Sequence, residues 1–148
     1  MIGIDIREVR RYLNQVFILS KEVDSLERTL KELETAAGAG ATDYEAIRVQ
    51  SAKDPHAQMD SVAIKAWELK DTIQRRQDKI LEIHSVINSI ENPLYRVILI
   101  EYYLNQRTWN EVWDYLHYKP DTGYVRSLQH NSIVAAGKVM EAMGIMPE

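Results

Sequence analysis

From Val9 onward apolar residues return at alternating steps of three and four: Val9, Tyr12, Val16, Leu19, Val23, Leu26, Leu30, Leu33 and Ala37. That spacing keeps one stripe on a single helix face and makes a coiled-coil seam about four heptads long. Gly38 and Gly40 follow at once and predict a helix end near Ala37, since glycine most readily takes the backbone of a helix terminus. Residues 38–54 are weakly patterned and read as a connector with a short turn around Tyr44–Val49. Asp54-Pro55 is the cap and first-turn signature of a second helix: the carboxylate accepts unpaired N–H groups, and proline has none to leave unpaired. Met59, Val62, Ala66, Leu69, Ile73, Ile80, Ile83, Ile87 and Ile90 carry the second seam, interrupted by Arg76 and ended by Asn92-Pro93.

Two seams of matching length predict an antiparallel helical hairpin, roughly 40 Å long at 1.5 Å per residue. In that register Arg76 falls near Leu19 and Glu22. Its stem then lies along the seam while its guanidinium meets a carboxylate; the alternative role is a marker of register or oligomer state. Heptads alone do not separate pairing within one chain from parallel pairing between chains. Ile6, Leu13, Phe17, Ile64, Trp67 and Leu81 lie off the seams and predict a second apolar face, covered by another helix pair or by the C-terminal segment. A homodimer or higher homo-oligomer is the expected state.

Residues 92–148 read as three shorter helices. Asn92 caps the first with Pro93 at its first position, and Leu94, Val97, Ile98, Ile100 and Leu104 form its stripe. After the turn Asn105-Gln106-Arg107, Thr108 and Glu111 make a capping box for a helix of about ten residues that turns Val112, Trp113 and Leu116 inward. Lys119-Pro120 stops it, because proline lacks the N–H and disfavours helix in the residue before it. Asp121 is the expected cap of the last helix, whose buried stripe is Val125, Leu128, Ser132, Ile133 and Ala136. Its opposite face carries Thr122, Tyr124, Arg126, Ser127, Gln129, His130 and Lys138, side chains able to bond base edges or phosphates. With Arg107 in the preceding turn, these are the candidate DNA-binding residues. The fold class is therefore all-α: a hairpin over 1–91 (helices about 5–37 and 55–91), then a helix-turn-helix unit over 92–148.

The run YRVILIEYYLNQRTWNEVWDYL followed by a V-x-x-L helix resembles region 4 of sigma-70-type factors. Together with the segment IRVQSAKDPHAQMDSVAIKAWELKDTI, it resembles more closely the small sigma-region-4-like proteins of Gram-positive phages and prophages, including the ArpU- and RinA-type late-gene regulators. The resemblance spans roughly residues 45–136 and rests on degenerate motifs. It implies transcriptional control at phage promoters through duplex DNA, with RNA polymerase as a second partner. The chain departs from the pattern in three places. Tyr102-Tyr103 stands where Arg-Tyr is usual, Asn105-Gln106-Arg107 lacks the common glycine, and Trp113 replaces a small residue that lets the two helices of the motif approach closely. A tryptophan there must push them apart or rotate outward, and Lys119-Pro120 lengthens the turn by about two residues.

Charge cuts against tight DNA binding. Over 92–148, Arg96, Arg107, Lys119, Arg126 and Lys138 face Glu101, Glu111, Asp114, Asp121, Glu141 and Glu148, five against six, a net of −1. Duplex affinity leans on lysine and arginine neutralising phosphates, so a monomer is expected to bind weakly. Dimerisation or RNA polymerase would then supply affinity. Arg7, Arg10 and Arg11 either add phosphate contacts or form an ordinary solvated face. The aromatics, at helical spacing, read as core rather than as a stacking platform, Tyr124 alone looking free to touch a partner.

The remaining chemistry is sparse. Zero cysteines exclude disulfides and thiolate chemistry, and the four histidines are scattered. Asp114 and His117 share a helix face but read as surface and turn residues rather than a metal site. No phosphate-cradling loop, nucleophile elbow, HExxH or triad-like arrangement occurs, so neither an enzyme nor a cofactor is expected. No apolar run reaches the roughly 20 residues a bilayer requires, and the first residues do not follow the order of a secretory signal; a cytoplasmic protein with no membrane partner is expected. The second functional reading is a protein-interaction module contacting RNA polymerase or a packaging component. Small terminase subunits are its nearest specific form, although their DNA-binding unit usually comes first in the chain.

Overall fold

The computed structural model describes residues 4–50 and 55–146, with side chains placed for 4–36 and 61–146. It is all-helical. Helix α1 spans Ile6–Gln50, α2 Pro55–Asn88, α3 Pro93–Leu99, α4 Trp109–Tyr115 and α5 Gly123–Met143, and a π-helical turn, Ile100–Leu104, prolongs α3. Among the described residues there is no strand, and no helix is long and apolar enough to cross a membrane.

Helix α1 overturns the expected stop at Ala37. It runs through Gly38 and Gly40 to Gln50, so most of the expected connector, including the turn at Tyr44–Val49, is helix. A glycine costs a helix interior only about 1 kcal/mol relative to alanine, and Ala36, Ala37, Ala39 and Ala41 surround these two with the strongest helix former. Glycine ends a helix where the chain turns left-handed, not by its presence alone. The Asp54 cap lies outside the described residues; Pro55 opens α2 as the sequence predicts.

The chain divides into two compact units. One is Ser20–Asp78, the middle of the two long helices; the other joins Met1–Leu19 to Lys79–Glu148.

In the Ser20–Asp78 unit the helices face each other in antiparallel order. Arg76 Nε donates to Glu22 Oε1 at 2.9 Å, the neighbour the heptad register assigns it. Lys70 Nζ lies 3.4 Å from Glu34 Oε1, and Gln77 Nε2 donates to Glu27 Oε1 at 3.4 Å. The seam between them is only partly closed. Val23 and Ile73 are buried, whereas Leu26, Leu30, Leu33, Val62, Ala66 and Leu69 are half-exposed.

The other unit holds the main core. Val9, Tyr12, Leu13 and Val16 of α1 and Ile83, Val86, Ile87 and Ile90 of α2 are buried with Ile98, Leu99, Tyr103, Val112, Trp113, Val125, Leu128, Ile133, Ala136 and Met140. The Tyr12 hydroxyl donates to Glu82 Oε1 at 2.7 Å, and Lys79 Nζ lies 4.9 Å above the Tyr12 ring. Burial and the adjacent carboxylate push the Tyr12 phenol up. The off-seam face expected of α1 is covered here by the C-terminal helices. Phe17 stacks on Tyr103 at 5.4 Å and meets Tyr102 edge-on at 5.6 Å. At Gly137 an added Cβ would stand 3.0 Å from Val9 Cγ2, so α5 approaches α1 at a point where only glycine fits without a shift. On α2, by contrast, Ile64, Trp67 and Leu81 remain exposed.

Candidate nucleic-acid interface

The cap signals of the C-terminal segment act as the sequence predicts. Asn92 Oδ1 accepts from Leu94 N at 2.9 Å and opens α3 with Pro93 at its first position. Thr108 Oγ1 accepts from Glu111 N at 3.2 Å, and Glu111 Oε1 accepts from Thr108 N at 3.0 Å, closing a capping box on α4. The backbone N–H of Thr108 holds the Glu111 carboxyl below its ordinary value. Because the folded value is depressed, the cap acts fully above the unfolded value of about 4.3 and is lost as pH falls through the folded one. The expected result is a Glu111 titration midpoint below that of an ordinary glutamate, moving together with the Thr108 amide shift in an NMR pH series. Glu111→Gln removes that coupling, whereas Thr108→Ala keeps the backbone N–H, deletes the hydroxyl that accepts from Glu111 N and costs about 1 kcal/mol.

The turn before α4 contains a feature the helical periodicity does not predict. Asn105 N donates to Ile100 O at 2.9 Å across five residues, so α3 ends in a π turn. The extra residue rotates the side chains that follow, and Tyr103 and Glu101 point inward. Glu101 is 8% exposed. Its Oε2 lies 2.8 Å from Arg107 Nε, off the line of a directed hydrogen bond, so the pair is electrostatic. The Arg107 guanidinium also covers the Tyr115 ring at 5.2 Å, and Arg107 N donates to Glu101 O at 3.1 Å. Arg107 is thus tied to the turn rather than grouped with the other candidates.

Gln106 takes φ +56°, a left-handed conformation that glycine adopts most readily. That backbone costs a non-glycine residue about 1–2 kcal/mol, partly offset by glycine's greater freedom in the unfolded chain. Gln106→Gly is expected to raise stability by about 0.5 kcal/mol, and Gln106→Val to lower it by about 1 kcal/mol or more, as read by urea unfolding.

Trp113 is buried, turned inward rather than rotated outward. It stacks on Trp109 at 5.7 Å, and Trp109 on Tyr102 at 3.8 Å with the planes 13° apart. Room comes from a short α4 and a long turn. The helix ends at Tyr115, seven residues in place of the ten expected, and His117 adopts φ +63° with Tyr118 N donating to Trp113 O at 2.8 Å. Helix α5 packs most closely against α3.

Helix α5 begins one residue later than expected. Asp121 sits at φ +63°, a backbone that cannot cap, and Thr122 is the N-cap, its Oγ1 accepting from Val125 N at 3.2 Å. The same hydroxyl lies 3.4 Å from Lys119 O, so Thr122 is engaged in the turn rather than free for a ligand. All five stripe residues, Val125, Leu128, Ser132, Ile133 and Ala136, are buried. On the open side stand Tyr124, Arg126, Ser127 and His130, joined by Asn131, which the sequence reading omits; Gln129 is half-buried at the edge. Asn131 follows Ser127 by one helical turn, which is the spacing that would have identified it.

Tyr124 is 58% exposed and meets Tyr118 edge-on at 5.5 Å, and the neighbouring phenol pushes its hydroxyl up. Lys138 is exposed but lies about 18 Å along the helix from Arg126 at 1.5 Å per residue. It lines an open groove of about 560 Å³ with Ile90, Tyr95, Val139 and Met143.

Three of the segment's six acidic residues are engaged away from the open face of α5, while Asp121 is exposed just before that helix. Glu101 faces Arg107, Glu111 serves the cap of α4, and Glu141 accepts from Ile4 N at 2.7 Å. From Gly123 to Val139 the helix contains no acidic residue, and its charged residues are Arg126 and Lys138. Among the described residues no group of three or more potential ligands could hold a metal ion; Asp114 and His117 are both exposed, and His117 N donates to Asp114 O at 3.1 Å in the turn. Comparison with family models, with curated proteins and with solved structures finds no match to this chain.

Proposed function

We propose that the chain is a DNA-binding transcription regulator of phage or prophage type that reads duplex DNA with the first three turns of α5 and assembles as a homodimer. The observation that carries this reading is the acid-free open face of α5, with Tyr124, Arg126, Ser127, His130 and Asn131 presented together from a helix whose other side is anchored in the core. Arginine and asparagine are the side chains that make paired hydrogen bonds to guanine and adenine edges in the major groove. Tyrosine and serine can bond phosphates or make apolar contact with a thymine methyl.

One basic residue in that group and a segment net of −1 predict modest affinity per subunit. A dimer doubles the contacts, and a polymerase contact would supplement them. The pairing of Arg107 with Glu101 favours the second reading, a module that contacts RNA polymerase or a packaging component, because it removes one of the few cations available to phosphates.

The two readings separate under selection from a pool of randomised duplexes. Repeated binding and amplification with the full chain at low salt is expected to enrich one motif, with its strongest preference at one to three base pairs. A pool that remains random after many rounds favours the protein-interaction reading.

A further inference from the structure

The heptad seam of the Ser20–Asp78 unit already joins α1 to α2, so the surface through which copies of this chain meet lies elsewhere. Two residues of α2 stand out. Trp67 is 66% exposed and Ile64 is 55% exposed, one helical turn apart, with exposed Ala63 beside them. They occupy the side of α2 turned away from the seam residues Val62, Ala66, Leu69 and Ile73. A tryptophan left largely in water is costly, and tryptophan is among the residues most enriched at the centres of interfaces. Among the described side chains of the unit only Val23 and Ile73 are buried. Two antiparallel helices become a self-sufficient bundle when a second pair packs across them.

We propose that Ala63, Ile64 and Trp67 form the centre of a two-fold interface with a second copy of this chain, giving a four-helix contact. The charges around the patch identify the occupant. Lys65, Glu68, Lys70 and Asp71 lie within about one turn of Trp67, two of each sign. Lys70 is paired with Glu34, and Asp71 with Arg75 at 3.1 Å. Burial there leaves Lys70 and Asp71 compensated and sets Lys65 against Glu68 in sign, so the rim has no net charge for a strongly acidic or basic partner to pair with. An isologous copy brings the same apolar centre and the same balanced rim, which is the complementarity a two-fold contact requires. The proposal rests on the dimer half of the reading above and is independent of its DNA half.

Sedimentation of the full chain from about 1 to 100 μM tests it together with Trp67→Glu and, as a second variant should that one misfold, Ile64→Lys. The wild type is expected to dimerise within this range. Each variant is expected to weaken the dimer at least about thirtyfold with helix content unchanged. The chain has no cysteine, so Ala63→Cys, which keeps Ile64 and Trp67, introduces a single thiol at the patch: oxidation is expected to join copies through this position and not in a Lys31→Cys control. A wild type that stays monomeric at 100 μM overturns both this inference and the dimer reading. A dimer that persists in both charged variants, or cross-linking that is equally strong in the Lys31→Cys control, overturns this inference alone.

Discussion

Trp113→Ala is expected to lower the unfolding free energy by about 3–5 kcal/mol, the range for deleting a large aromatic from a packed core. The side chain is buried in the core cluster that also contains Val112, Val125 and Leu128 and is one end of a run of rings that continues through Trp109, Tyr102, Tyr103 and Phe17. Alanine leaves a cavity that the neighbours close only in part, because α5 is also held by its packing on α3 and by its close approach to Val9 of α1. If this position instead tolerated the small residue of the sigma-like pattern, α4 would settle onto α5 and the loss would stay under about 1.5 kcal/mol. Urea unfolding followed by circular dichroism distinguishes the two. Loss of near-ultraviolet signal with retained helix would show that the ring stack, and not helix formation, had been removed.

The second large effect concerns recognition. Arg126→Ala is expected to weaken binding to a selected duplex by about 1–3 kcal/mol, roughly fivefold to 150-fold, and to relax preference at one base pair, as loss of a bidentate guanine contact does. Arg126 is exposed on the open side of α5, and among the described residues its side chain makes no hydrogen bond or ion pair, so truncating it leaves the core and the backbone bond from Arg126 N to Thr122 O in place. Lys138→Ala, about 18 Å further along the helix, is expected to leave base preference unchanged and at most to reduce the salt dependence. Fluorescence anisotropy with the two variants and single-base substitutions of the duplex measures both. Equal losses from the two variants on every sequence would mean that α5 contributes charge without reading bases.

The features legible in the sequence are those fixed by local chemistry. Asn92 with Pro93, and Thr108 with Glu111, signal helix starts through bonds made within three residues, so spacing alone reveals them. The seams are equally legible: Arg76 meets Glu22 because a strict three–four repeat fixes both faces at once. Where backbone geometry is decided by distant packing, the pattern fails. The π turn at Ile100–Leu104 places Tyr103 against Phe17, about 86 positions away in the chain by their residue numbers, and no local spacing encodes it. Asp121 reads as a cap by residue type, but the turn behind Trp113 throws it left-handed and gives the cap to Thr122. Gly38 and Gly40 read as a stop because composition does not show that the backbone there stays right-handed. Of the candidate DNA contacts, Tyr124, Arg126, Ser127 and His130 stand together. Thr122 and Arg107 are engaged in turns, and Lys138 is remote, since only the folded chain shows which polar groups already have partners.

Sequence-selective binding by the intact chain is the central claim, and competition at physiological salt tests it most directly. With a duplex carrying the enriched motif held at its half-saturation point, unrelated duplex is expected to displace it only in at least about hundredfold excess, against parity for the unlabelled motif itself. Displacement by both competitors at equal concentration, with binding lost between low and physiological salt, would contradict it.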